Sequence, residues 1–291
     1  QTFARFGSGV TLFEKSSHIL NREEKDAALI VQKSLVNDGV DVRLSVNNLK
    51  FNADNNQVKF FHSSGGEPEE GIIDKLLIAA GRSPNVDGIG LENAGVEYDL
   101  KNGIAVNDKL QTSNKNIYAA GDVCSRYKFT HSADFMARTV IANALFFGRS
   151  RLSNLIIPWA TYTDPELAHV GIYPEEAQSM GIEISSITKN FCEIHRSILE
   201  GEVEGFVRVH HKKGSDKILG ATVVGKNAGD FISHLTMAMT HGIGLKKLAA
   251  TIHPYPTQGE AIRQLGDQYK KSAVTPKVLN LLRKFFEWHA K

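Results

Sequence analysis

Three stretches of the chain hold residue types and spacings suited to chemistry. The first is His253-Pro-Tyr-Pro-Thr-Gln-Gly-Glu260. Two prolines restrain it and so restrict where Tyr255 can point. His253 and Glu260 are candidate acid–base groups, and Tyr255 offers a phenol as a donor. A structural reading also fits: Thr257 as N-cap with Glu260 three residues later matches a capping box. The second stretch is Thr112-Ser-Asn-Lys-Asn-Ile-Tyr-Ala-Ala-Gly121-Asp122. A strand over 116–120 running into Gly-Asp would set a carboxylate at the carboxyl end of a sheet, where ligands of α/β folds bind. Gly121 lets backbone approach a ligand closely, and Asp122 can accept from a sugar-like hydroxyl. The alternative is a plain Gly-Asp turn. The third is Glu14, closing the β-rich run Val10–Glu14. In a dinucleotide-binding unit, an acid there accepts hydrogen bonds from the adenosine ribose and repels a 2′-phosphate, favouring NADH over NADPH. The alternative is a surface glutamate at a strand end.

The remaining candidates are weaker. Cys124 and Cys192 lie 68 residues apart, too sparse for a disulfide framework or a zinc site, so a reducing compartment is the default. His62, His210 and His211 read as surface residues, and no His/Cys cluster supports a metal site. The 291 residues carry 34 basic and 32 acidic side chains, a net charge of +2. That balance gives no reason to expect nucleic-acid binding. No apolar run approaches the ~20 residues needed to span a bilayer.

The elements that must position these residues follow from periodicity and stop signals. Gln1–Phe6 reads as the end of a helix stopped by Gly7, with no signal peptide. A helix is expected over 22–37, a strand over 40–44, and strands over 48–52 and 57–62 about a turn at Asp54-Asn55-Asn56. Residues 63–71 read as a loop, and 72–80 as a strand. A helix is expected over 132–147, apolar at Phe135, Met136, Val140, Ile141 and Leu145. Beyond 155, β-like runs at 184–190, 205–211 and 218–224 alternate with helices at 174–180 and 228–241, and 276–288 reads as a last helix. The pattern is α/β first and α+β later.

The motifs occur in one order: Ala79-Ala-Gly-Arg-Ser-Pro-Asn85, then Thr112 to Asp122, then Thr161-Tyr-Thr-Asp-Pro-Glu-Leu-Ala-His-Val-Gly171, then His253 to Glu260. Over essentially its whole length the chain resembles the flavin-dependent pyridine nucleotide-disulfide oxidoreductases, nearest their mercuric reductase-like and dihydrolipoamide dehydrogenase-like branch. The resemblance implies partial Rossmann-type FAD/NAD(P)-binding domains followed by an α+β dimerisation domain. The implied division is 1–80 for the nucleotide part, 81–153 for the second flavin-domain segment and 154–291 for dimerisation. It implies FAD and NADH (NADPH less so), a homodimer whose dimerisation domains complete each other's sites, and a small-molecule or ion substrate. No nucleic-acid or membrane partner is expected, and the compartment is expected to be the cytoplasm.

Residue by residue, the resemblance implies ribose binding for Glu14 and a backbone contact to the nicotinamide nucleotide for Gly81. It implies flavin ribityl binding for Asp122, beside Gly121. Thr130 and His131 fall where relatives touch the flavin. The redox Cys-x4-Cys and the glycine-rich loops are expected upstream of Gln1, so the chain reads as the C-terminal portion of a longer enzyme, inactive alone. Neither Cys124 nor Cys192 matches a redox position. Disulfide reductases end in His-Pro-Thr-x-x-Glu. Here Glu260 fits, but the histidine position is Tyr255, and His253 sits two residues early. Mercuric reductases also carry tyrosine there, which favours a metal ion or related substrate, yet their C-terminal cysteine pair is missing from Phe285–Lys291. Three readings follow. The first is a mercuric reductase-like enzyme passing electrons from NADH through FAD and a dithiol. The second is a dihydrolipoamide dehydrogenase-like reductase with His253 as acid–base group. The third is an inactive dimerisation and nucleotide-binding module.

Overall fold

The computed structural model describes residues 1–54, 57–64 and 67–290. In chain order its first elements are α1 (Thr2–Arg5), β1 (Thr11–Phe13), α2 (Lys25–Asn37), β2 (Asp41–Arg43), β3 (Asn47–Asp54), β4 (Gln57–Ser64) and β5 (Glu67–Ile73). Then come β6 (Tyr98–Asp99), β7 (Gly103–Ile104), α3 (Thr130–Leu145), β8 (Pro158–Thr161), β9 (Glu166–Gly171), α4 (Pro174–Ser179), β10 (Ile184–Asn190) and α5 (His195–Glu200). Last are β11 (Phe206–Lys212), β12 (Ile218–Gly225), α6 (Ala228–Thr240), α7 (Leu245–Leu248), α8 (Glu260–Ser272) and α9 (Pro276–His289). This mixture is the α/β and α+β class read from the pattern. Contacts divide the chain into two units: residues 1–75 with 158–291, and residues 76–157.

In the first unit β1 and β2 pair in parallel, joined by α2. β3, β4 and β5 form an antiparallel meander. A five-stranded antiparallel sheet runs β10-β11-β12-β9-β8. Alternation along a strand sends successive side chains to opposite faces. Leu167, Phe206 and Val224 therefore share a face, and they pack against Ala27, Val31 and Leu35 of α2.

A buried polar cluster lies on that face, at the start of α2. The Glu23 carboxylate accepts from Trp159 Nε1 at 2.8 Å and from the Tyr173 hydroxyl at 2.5 Å. The buried His169 ring stacks on Tyr173 with 3.7 Å between ring centres, and its Nδ1 lies 2.9 Å from the Thr222 hydroxyl. Arg208 donates to Glu24 at 3.0 Å and to Asp26. His210 Nε2 lies 3.5 Å from Glu24. Burial pushes Glu23 up. Burial also pushes Glu24 up, but the neighbouring His210, Thr222 and Arg208 more than reverse it, to about 2. Burial lowers His169 to about 3. Helix α2 begins at Lys25 rather than Arg22 because Glu23 and Glu24 are held in this cluster.

Several sequence expectations are corrected. Of the expected loop 63–71, residues 63–64 end β4 and 67–71 belong to β5, because β4 pairs with them. Residues 74–80 are not a strand: Leu77 and Ile78 stand largely exposed, and no partner among the described residues offers them a hydrogen-bond ladder. Residues 116–120 make only one isolated bridge, Gln111 with Tyr118, so no strand delivers Asp122. Helix α3 buries Ser132, Met136 and Thr139, while Phe135, Ile141 and Leu145 are exposed. His62, His210 and His211 are buried, not surface residues. Each lies on a strand with a neighbour on both sides, β4 or β11. The expected turn at Asn55-Asn56 lies outside the described residues.

Candidate functional site

In the second unit the chain turns sharply after Ala120. Residues Gly121–Val123 form one 3-10 turn. Gly121 has φ +83, and a Cβ there would meet the Ala133 Cβ at 2.9 Å. Only glycine fits both the conformation and the approach to α3. Gly103 is the other fixed point: it has φ +87, and a Cβ would meet the Val123 carbonyl oxygen at 2.0 Å. This glycine was not among the sequence candidates, although a glycine after the Asn102 turn was a visible signal. Asp122 is half exposed, with its carboxylate 3.8 Å from the Arg82 guanidinium. Gly81, with φ +114, has open space where a side chain would stand.

Helix α3 starts at Thr130 without a side-chain cap. Its first backbone N–H groups and the positive end of its dipole are therefore available to electron-rich ligand atoms. Thr130 and His131 are exposed, and the His131 ring stacks on Phe129. The Ser132 hydroxyl, buried in the first turn, makes no hydrogen bond among the described residues. A half-exposed carboxylate, an uncapped helix start, an orphaned hydroxyl and a glycine pressed against that helix fit the hydroxylated chain and ring of a flavin nucleotide. Cys124 borders a cavity of about 340 Å³, but burial pushes its thiol up to about 11. Such a thiol is a poor nucleophile.

Replacing Gly103 by Ala is expected to push the Gly121–Val123 turn out of place. The full-length protein should then retain markedly less flavin, measured as the ratio of flavin to protein absorbance after gel filtration. Unchanged retention would show that the turn tolerates the displacement.

The first unit carries the other candidates. Glu14 directly follows β1 and is half-buried. One carboxylate oxygen accepts from Ser16 N at 2.7 Å, which orients the group. Tyr255 is 68 % exposed, and its hydroxyl lies 3.1 Å from Nδ1 of His195 at the start of α5. The two rings meet edge to face. His195 stands 60 positions from Tyr255, and nothing in the local sequence pointed to it. Glu260 bonds to Arg263 at 2.7 Å. The Arg263 hydrogen bond, with help from Gln264 and the nearby His195, holds its carboxyl below the ordinary range.

His253 is not joined to this group by a hydrogen bond: its Nδ1 faces the Thr251 carbonyl at 3.0 Å. The expected capping box is absent. The Thr257 hydroxyl donates to the Pro254 carbonyl, and α8 starts at Glu260 with Gly259 as N-cap. Glu260 reaches forward to Arg263 rather than back to Thr257.

Residues 1–137 match the pyridine nucleotide-disulphide oxidoreductase family. Residues 157–265 match the pyridine nucleotide-disulphide oxidoreductase dimerisation domain. The chain is 34% identical to a dihydrolipoyl dehydrogenase of Thermus scotoductus over 94% of this chain and 59% of the relative. It is 28% identical to a mercuric reductase of Staphylococcus aureus over 90% of this chain and 48% of the relative. Among solved structures, the Cu(II) complex of the HOCl-induced flavoprotein disulfide reductase RclA from Escherichia coli superposes with TM-score 0.80 at 28% identity. That likeness covers 91% of this chain and 60% of the solved one. The chain thus spans about half to three-fifths of the relatives it matches. No helix among the described residues is long and apolar enough to cross a membrane.

Proposed function

Because the chain belongs to the pyridine nucleotide-disulphide oxidoreductase family, we propose that it is part of a homodimeric, FAD-dependent NAD(P)H oxidoreductase. Its acceptor is a thiol-held metal ion or a disulfide. When bound, the flavin supplies two-electron exchange between the nicotinamide and a dithiol that neither Cys124 nor Cys192 provides. Asp122 accepts from the ribityl hydroxyls, and the start of α3, with Thr130 and His131, stabilises negative charge on the ring. The open backbone at Gly81 admits the nicotinamide nucleotide, and Glu14 takes the adenosine ribose.

Tyr255 faces the partner subunit's dithiol and donates to sulfur or to the acceptor. His195 orients the phenol, and Glu260 with Arg263 anchors the start of α8 behind it. The observation that carries this reading is the exposed Tyr255 phenol held by His195, at the place where disulfide reductases use a histidine. A phenol at neutral pH is a donor rather than a base, which suits a thiol-held metal ion better than a dithiol that must lose its proton.

Mercuric ion, lipoamide and glutathione disulfide assayed side by side with the full-length protein test the proposal. Higher turnover with mercuric ion supports it. A preference for lipoamide or glutathione disulfide selects the disulfide acceptor, and lipoamide in particular the dihydrolipoamide dehydrogenase-like reading, which the higher identity to that relative favours. Absence of both a flavin band and NADH oxidation would leave the inactive nucleotide-binding and dimerisation module. Glu14→Ala is expected to weaken NADH and narrow its advantage over NADPH, read as the ratio of the two kcat/KM values. An unchanged ratio would remove Glu14 from cofactor selection.

A further inference from the structure

Helix α9 stands apart from everything the site uses. Thr275 caps it, with its hydroxyl accepting from Val278 N, and Pro276 opens the first turn. At 100° per residue, Val278, Leu281, Leu282, Phe285, Phe286 and Trp288 fall on one half of its circumference. Asn280, Arg283, Lys284 and Glu287 fall on the other. In a water-soluble fold such an apolar face is ordinarily turned inward. Here it is not: Phe286 is 63 % exposed and Trp288 74 % exposed.

The surrounding charge narrows what can cover it. Residues 270–291 hold six basic side chains and one acidic. The whole chain is only +2, so the other residues are net negative, and the positive charge is concentrated in this stretch of the sequence. Glu287, the single acid, is engaged at 3.8 Å by Arg283. Pairing α9 with α9 of a second copy would bring two such basic segments together, which like-charge repulsion opposes. Fourteen residues rise only about 21 Å, short of a bilayer core. A short helix with aromatic and leucine side chains on one face and basic residues on the other is built to lie in a membrane–water interface.

We propose that α9 docks, lying in the plane, on an anionic phospholipid surface. Phe285, Phe286 and Trp288 enter the headgroup boundary, while Arg283 and Lys284 meet the lipid phosphates. This anchors the protein peripherally and involves no group assigned to catalysis. It runs against the expectation of no membrane partner, and the vesicle experiment decides between the two.

The test is co-sedimentation of the full-length protein with vesicles of phosphatidylcholine mixed with phosphatidylglycerol, against vesicles of phosphatidylcholine alone. Binding to the anionic vesicles is expected to be at least about tenfold tighter and to fall between ~0.1 M and ~1 M salt. Trp288 emission should shift to the blue on binding. Trp288→Phe should lose that shift yet still sediment. The pair Phe285→Ser and Phe286→Ser should abolish binding, and so should the pair Arg283→Glu and Lys284→Glu. Both pairs should keep wild-type circular dichroism and NADH oxidation, which separates a lost surface from a lost fold. Three results would overturn the proposal: no sedimentation of the wild type with anionic vesicles, undiminished binding by the charge-reversed pair, or a Phe285-dependent self-association without vesicle binding. The last would assign the face to a second copy of the chain.

Discussion

Replacing Tyr255 by Phe in the full-length enzyme is expected to lower turnover about 100-fold while leaving reduction of the flavin by NADH unchanged. The substitution keeps the ring and its edge-to-face contact with His195 and removes only the hydroxyl that lies 3.1 Å from Nδ1. A donor that acts on the thiols or on the acceptor contributes after the flavin has been reduced, so only the second half of the cycle should slow. His195→Ala should reproduce part of the loss, because it frees the phenol without deleting it. If His195 acts only by orienting Tyr255, the double variant should be no slower than Tyr255→Phe. Stopped-flow traces of flavin reduction and of its reoxidation by acceptor separate the two half-reactions. Equal turnover by wild type and Tyr255→Phe would remove the phenol from the mechanism.

The second large effect is on stability, which is expected to fall steeply as the pH drops from about 6.5 toward 3. His169 is lowered by burial from 6.5 to about 3. The folded state therefore resists a proton that the unfolded chain accepts. Stability is full above 6.5 and is lost as pH falls through that window, by as much as about 5 kcal/mol. Glu24, lowered from 4.5 to about 2, follows the same sign over a lower window and adds about 3 kcal/mol of loss. Glu23 opposes them. Its carboxyl is raised, so its contribution is full below 4.5 and fades as pH rises.

Between 6.5 and 4.5 the loss from this cluster belongs to His169. His169→Phe keeps a ring against Tyr173 and should flatten that part of the curve. Urea midpoints followed by circular dichroism from pH 7 to 4 decide it. A slope as steep in His169→Phe as in the wild type would place the acid sensitivity elsewhere.

Much of the scaffold was legible in the chain. Strand β10 over Ile184–Asn190 and helix α6 ending at Thr240 follow from periodicity alone. So does the stop of α1 before Gly7, whose φ of +92 suits glycine. The misread strands failed for a shared reason. Leu77 and Ile78 have a strand's composition, but a strand exists only where another chain segment completes its hydrogen bonds. Residues 67–71 have a loop's composition and form a strand because β4 lies beside them.

The site divides along the same line. The sequence by itself determined the candidate groups: Glu14, Gly121 with Asp122, and Tyr255 with Glu260. Their types and spacing within about ten residues express local chemistry, and the order of their motifs carried the family. Only the tertiary structure decided what those groups meet. It set His195, rather than His253, on the Tyr255 phenol. It turned Glu260 to Arg263, braced the Asp122 turn on Gly103, and buried His169 against Tyr173. Each of these pairs except Glu260 with Arg263 and His169 with Tyr173 spans 18 residues or more. Such contacts arise from how strands and helices pack, and no local pattern records them.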